Sequence, residues 1–195
     1  MVRHESGERS DGADELRWLD RLLQRWRIYK ASRFIARGDR VLDIGCADGT
    51  LFSQLAWIEA GLGIDPNARD SVVRGIPIRR GHFPDDLAGE EGFQVVTALA
   101  VFEHVPLSEQ AQFVVACRAA LASGGRVVLT VPAPLVDHLI SILQALRLLR
   151  GMETHEHWGF RPADTIPIFT EHGFEATLHR RFQLGLNHLF VFTAT

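Results

Sequence analysis

Short apolar runs alternate with amphipathic stretches along most of the chain. Val41, Leu42 and Ile44 predict a strand over 40–44. Leu51, Phe52, Leu55 and Ala56 fall on one helical face and predict a helix over 49–59. Further strands are expected at 61–65, 76–79, 93–98 and 125–131. Between the last two lies a helix over 108–121, with Ser108 as its N-cap and Gly124-Gly125 closing its far end. Pro132 and Pro134 stop the fifth strand, and Leu135 to Leu149 reads as a strongly apolar helix. A loop at 152–160 leads to a helix at 162–172 with Pro162 in its first turn. Two final strands, 174–182 and 187–194, flank a turn at Leu184-Gly185. Ahead of all this, Leu16, Leu19, Leu22, Leu23, Trp26 and Ile28 recur at helical spacing. They predict a helix packed across the end of the sheet, with Arg17, Arg21, Arg25 and Arg27 on its solvated side. Strands that alternate with helices imply an α/β fold, a doubly wound parallel sheet with helices on both faces.

Composition narrows the picture only a little. The 195 residues suit one domain, expected over 13–195 behind a polar, disordered tail at 1–12. A net charge of −3 argues against nucleic acid as a partner. Cys46 and Cys117 lie far apart and read as free thiols of a reducing cytoplasm. No apolar run reaches the roughly 20 residues that span a bilayer, and no secretory leader is visible, so a cytoplasmic protein is expected. A homodimer is left open.

The chemistry concentrates at Val41-Leu42-Asp43-Ile44-Gly45-Cys46-Ala47-Asp48-Gly49 and, twenty residues past Gly45, at Gly63-Ile64-Asp65-Pro66. A glycine turn after a strand lets backbone approach a ligand. A carboxylate ending the next strand can accept both hydroxyls of a ribose. The charge decides which nucleoside. Asp43 and Asp48 flank the turn, and each would cost on the order of 1–4 kcal/mol beside a phosphate at surface-like dielectric. They suit a ligand with a cationic end and no phosphate, as S-adenosylmethionine is.

These segments resemble the first two motifs of the class I S-adenosylmethionine-dependent methyltransferases, in the branch of small single-domain enzymes of the methyltransferase type 11 kind. Phe93-Gln94-Val95-Val96 with Val101-Phe102-Glu103-His104-Val105 resembles that branch's fourth motif. Gly124-Gly125-Arg126-Val127-Val128-Leu129-Thr130-Val131-Pro132 resembles its fifth strand. The resemblance covers about residues 20–195. It implies a Rossmann-like sheet of seven strands in the order 3-2-1-4-5-7-6, mostly parallel, the last-inserted strand antiparallel.

The resemblance also implies roles. Asp65, followed by Pro66, meets the ribose, while Gly45, Cys46, Ala47 and Gly49 line the methionine end. Asp43 orients the loop or reaches the ammonium through water. Ala47 stands where the family usually has glycine, which is tolerable if its φ stays negative. After the third strand the family usually shows Gly-Asp. Here Gly81-His82-Phe83 stands instead, so His82 and Phe83 face the adenine or lie in a solvated loop. Gln94 replaces another aspartate, at a position that stabilises a turn. Leu99 and Ala100 should contact the sulfur or adenine. His104 is the first candidate for handling the methyl acceptor, as base or merely as a cap of the following helix. His157 is the second, carried on a lid at 133–160 that contains the apolar helix 135–149. The group His155, Glu156, His157, Asp137 and His138 lacks the spacing of a metal cage, and no metal is expected.

The resulting expectation is methyl transfer to a small molecule or to a lipid- or sugar-linked biosynthetic intermediate. Two alternatives stay open: a non-catalytic binding subunit of the same fold, and an NAD-linked reductase. The reductase is disfavoured because the loop lacks Gly-x-Gly-x-x-Gly.

Overall fold

A computed structural model describes residues 11–133 and 160–195. Eight strands form one sheet: β1 Arg40–Ile44, β2 Ala60–Asp65, β3 Ser71–Val73, β4 Ile76–Arg80, β5 Phe93–Leu99, β6 Leu121–Pro132, β7 Phe174–Phe182 and β8 Asn187–Ala194. Their order is β3-β4-β2-β1-β5-β6-β8-β7. β4, β2, β1, β5 and β6 run parallel, and β8 is antiparallel to both β6 and β7. The seven expected strands are therefore present in the expected order. β3 is additional. It joins β4 through Arg74 and Gly75, both at positive φ (53° and 85°), the geometry of a two-residue hairpin turn.

Side chains alternate between the two faces of each strand. Val41, Val95 and Val128 pack with Ile28 and Ala31 of α1 (Asp11–Ser32) and with Leu51 and Phe52 of α2 (Thr50–Gln54). On the other face Leu42, Val96, Val127 and Phe192 meet Phe113, Val114 and Cys117 of α3 (Gln110–Ala120) and Phe169 of α4 (Thr165–Thr170). Phe169 stacks on Phe192 with ring centroids 4.0 Å apart. Cys46 and Cys117 are free and buried.

Several local expectations need correction. α2 is half the predicted length. Leu55 leaves helical geometry, and a turn closed by the Ile58 N–H on the Leu55 carbonyl folds Ile58 into the core. Ser108 does not cap α3, because the Pro106 carbonyl takes the N–H groups of Glu109 and Gln110 (2.8 and 3.2 Å). Asp11 and Gly12 belong to α1 and not to a disordered tail. Arg27 is half-buried rather than solvated, whereas Leu22 and Trp26, expected to pack inward, are exposed. The apolar helix 135–149 and His157 lie outside the described residues, as does all but the ends of the proposed lid.

Candidate functional site

The carboxyl ends of β1, β2, β4 and β5 converge on the glycine loop. Gly45 and Gly49 have φ of 71° and 75°, a region that favours glycine. A Cβ on Gly45 would run into Val101 Cγ2, so the turn is also sterically closed to larger residues. Ala47 has φ 49°. The condition of a negative φ is not met, and left-handed geometry costs a non-glycine residue roughly 1–2 kcal/mol. Asp65 stabilises this conformation: its Oδ2 accepts the Ala47 N–H (3.0 Å) and its Oδ1 the Asn67 N–H (2.7 Å). Each carboxylate oxygen keeps a further lone pair for another donor. Ala47, Asp48, Asp65 and Asn67 line a shallow cavity of about 460 Å³.

Asp43, the next-to-last residue of β1, is buried. Thr97 Oγ1 donates to its Oδ1 at 2.6 Å. Burial pushes the Asp43 carboxyl up to about 7, with the Thr97 hydrogen bond opposing the shift and nearby Asp65 adding to it. Asp43, Gly45, Cys46 and Leu99 line a small cavity of about 60 Å³ together with Gln24 and Arg27 from α1. Arg27 was missed by the sequence reading. A lone arginine in an arginine-rich helix carries no signal of its own; only the position of Ile28 on the buried face could have pointed to it.

A larger cavity, about 540 Å³, opens on the other side of Gly45. Ile64, Pro66, His82, Phe83, Val101, His104, Val105 and Phe113 are among its lining residues. Phe83 packs edge-on against Phe113 with centroids 5.0 Å apart. His104 Nε2 lies 3.9 Å from Oε1 of the buried Glu103. Asp86 Oδ2 accepts the His82 N–H at 2.8 Å, and a Cβ on Gly81 would come 2.7 Å from Asp86 Cβ. Gln94 acts as expected at a structural turn: its Oε1 accepts the Arg40 N–H (2.8 Å) and its Nε2 donates to the Gly92 carbonyl (3.2 Å). Ala100, with φ 61°, donates its N–H to the Thr130 carbonyl and turns the chain from β5 toward His104. Among the described residues no group of three or more His, Cys, Asp or Glu side chains could hold a metal ion.

A strand–glycine loop, an acid ending the neighbouring strand and a histidine beyond the fourth parallel strand now stand around one sheet edge. A sequence profile of the methyltransferase domain family matches residues 16–182. The chain belongs to that family, the class I S-adenosylmethionine-dependent methyltransferases. A ubiquinone biosynthesis O-methyltransferase from Roseobacter denitrificans is 31% identical over 147 residues, 67% of this chain and 57% of the relative. The chain thus spans little more than half the length of that relative. Among solved structures, a magnesium protoporphyrin IX methyltransferase from Synechocystis with bound S-adenosylhomocysteine aligns over 97% of this chain and 90% of its own, with a TM-score of 0.65 and 15% identity. A TehB-like S-adenosylmethionine-dependent methyltransferase from Corynebacterium glutamicum aligns over 90% and 97%, with a TM-score of 0.60 and 18% identity. At those identities the likeness is one of fold.

The methyltransferase site fits its cofactor on three counts. The Gly45 turn leaves backbone bare where a side chain would collide. Carboxyls at Asp43 and Asp65 suit a cationic end and a diol. The larger cavity has Ile44, Ile64, Phe83, Val101, Val105 and Phe113 in its lining, apolar surface for a flat base. No helix among the described residues is long and apolar enough to cross a membrane.

Proposed function

We propose that this methyltransferase transfers a methyl group to a hydroxyl of a small biosynthetic intermediate, free or linked to a lipid or sugar. The observation that carries the reading is the placement of His104 in the wall of the large cavity beside Gly45. The 31% identity to an O-methyltransferase supports oxygen as the acceptor atom.

When bound, S-adenosylmethionine supplies a methyl group on a sulfonium leaving group. The protein's task is to hold the acceptor in line and keep water out. Asp65 accepts the ribose hydroxyls while its backbone bonds keep the loop shaped. Pro66, His82 and Phe83 bound the adenine. Asp43 faces the cationic methionyl end, and Arg27 in the same small cavity pairs with its carboxylate. His104 takes the proton from the acceptor hydroxyl, and the nearby Glu103 carboxyl favours the imidazolium that results.

The test is methyl transfer from labelled S-adenosylmethionine to a panel of phenolic and aliphatic alcohols, including prenylated catechols, with amines and thiols as controls. Label on a hydroxyl compound is expected. Transfer only to amines or thiols would overturn the oxygen assignment, and tight cofactor binding with no turnover on any acceptor would favour the binding subunit.

A further inference from the structure

We infer that the outer face of α1 is a docking surface for an anionic lipid membrane. The helix is inverted in an instructive way. Ile28 and Ala31 face the sheet and are 3% and 0% exposed. Trp18, Leu22, Trp26 and Tyr29 follow at spacings of four, four and three residues, which places them on one stripe of the opposite side. They are 64%, 45%, 41% and 55% exposed. The stripe is about 16 Å long at 1.5 Å per residue. Two tryptophans, a tyrosine and a leucine in a row exceed the scattered apolar residues of an ordinary surface.

Charge selects the occupant. From Arg21 to Arg37 the chain carries Arg21, Arg25, Arg27, Lys30, Arg33 and Arg37 and no Asp or Glu, while Asp11, Asp14, Glu15 and Asp20 precede it in α1, so the cationic part of the face is the half that bears Leu22, Trp26 and Tyr29. Arg21, Arg25 and Arg33 are exposed beside the stripe. Arg33 sits 5.3 Å over the Tyr29 ring and donates to its hydroxyl at 3.1 Å. Aromatic rings flanked by arginines match the boundary between acyl chains and anionic headgroups. A helix lying in the interface needs no spanning length, so the lack of a long apolar helix is no obstacle.

The consequence is positional. Gln24 and Arg27 of the same helix line the small cavity at Gly45. A membrane held by α1 would therefore bring the site to the bilayer surface, where a lipid-linked acceptor is presented. The docking surface itself does not depend on which molecule accepts the methyl group.

The experiment is co-sedimentation of the full chain with phosphatidylcholine vesicles lacking or containing about one-third phosphatidylglycerol. Binding is expected only with the anionic lipid, and it should be lost at high salt. Trp18→Ser/Trp26→Ser and Arg21→Glu/Arg25→Glu should each weaken it by about tenfold or more, with S-adenosylmethionine affinity unchanged as the folding control. No sedimentation with anionic vesicles, or undiminished sedimentation of both folded variants, would overturn the proposal. So would a dimer in sedimentation velocity that Trp18→Ser/Trp26→Ser dissociates, or binding of the wild type to single-stranded RNA in preference to vesicles.

Discussion

The two cavities that meet at Gly45 differ most in size and in the charged groups they hold. The smaller is tight, about 60 Å³, with the buried Asp43 carboxyl and Arg27 in its walls beside Ile28, Leu51 and Leu99. The larger, about 540 Å³, is bounded by isoleucine, proline, phenylalanine and valine together with His82, Asp85, His104, Glu109 and Gln112. A single glycine separates them because only a residue without Cβ leaves room against Val101. Asp65 lines neither. It stands at the rim, where it shapes the loop that both compartments share.

Substitutions can separate the compartments. The largest expected effect belongs to His104→Ala. Single-turnover transfer to a hydroxyl acceptor at saturating cofactor should slow by about 10²–10⁴-fold. A loss below about tenfold would leave proximity alone to carry the reaction. Asp65→Ala comes next. It should weaken S-adenosylmethionine binding by about 30- to 1000-fold, or roughly 2–4 kcal/mol, measured by calorimetric titration of the folded variant. Unaltered affinity would remove the ribose role.

Asp43→Asn tests the smaller cavity through pH. The folded carboxyl sits at about 7 against an ordinary value near 4. The native state therefore holds a proton that the unfolded chain releases above pH 4. Its contribution to stability falls as pH rises from about 4 to about 7 and is level above that. A cationic ligand favours the ionised form, so cofactor affinity should climb through pH 6–8. In Asp43→Asn both slopes should flatten, and affinity at pH 8 should drop by about tenfold. Denaturation and binding series across that range check both. Retention of the wild-type affinity slope would place the titrating group elsewhere. Ala47→Gly should have the smallest effect. It relieves left-handed strain of about 1 kcal/mol and should raise Tm by about 2–4 °C, with cofactor affinity nearly unchanged.

Legibility in the sequence followed how local the determinants are. β7 and β8 end where the apolar runs and the Leu184-Gly185 turn predict, because strand and turn signals lie in consecutive residues. The glycine loop and Asp65 were equally visible, being a fixed motif at a fixed distance. The β3 hairpin was overlooked, since a three-residue edge strand gives almost no periodicity, though Arg74-Gly75 between Val73 and Ile76 was a usable turn signal. Tertiary events were hidden. Nothing local says that Asp86 returns to the His82 N–H, that Pro106 pre-empts Ser108, or that the solvent face of α1 carries its tryptophans. That last inversion escaped because periodicity identifies the apolar stripe but not which side meets the sheet. Here two shorter residues, Ile28 and Ala31, take that place.

The central claim is that the loop at Gly45 receives S-adenosylmethionine rather than a dinucleotide. Calorimetric titration of the wild-type chain with S-adenosylmethionine, S-adenosylhomocysteine and NAD tests it most directly. The account predicts saturable one-to-one binding of the first two and none of NAD. Binding of NAD with no heat from either sulfur ligand would contradict it.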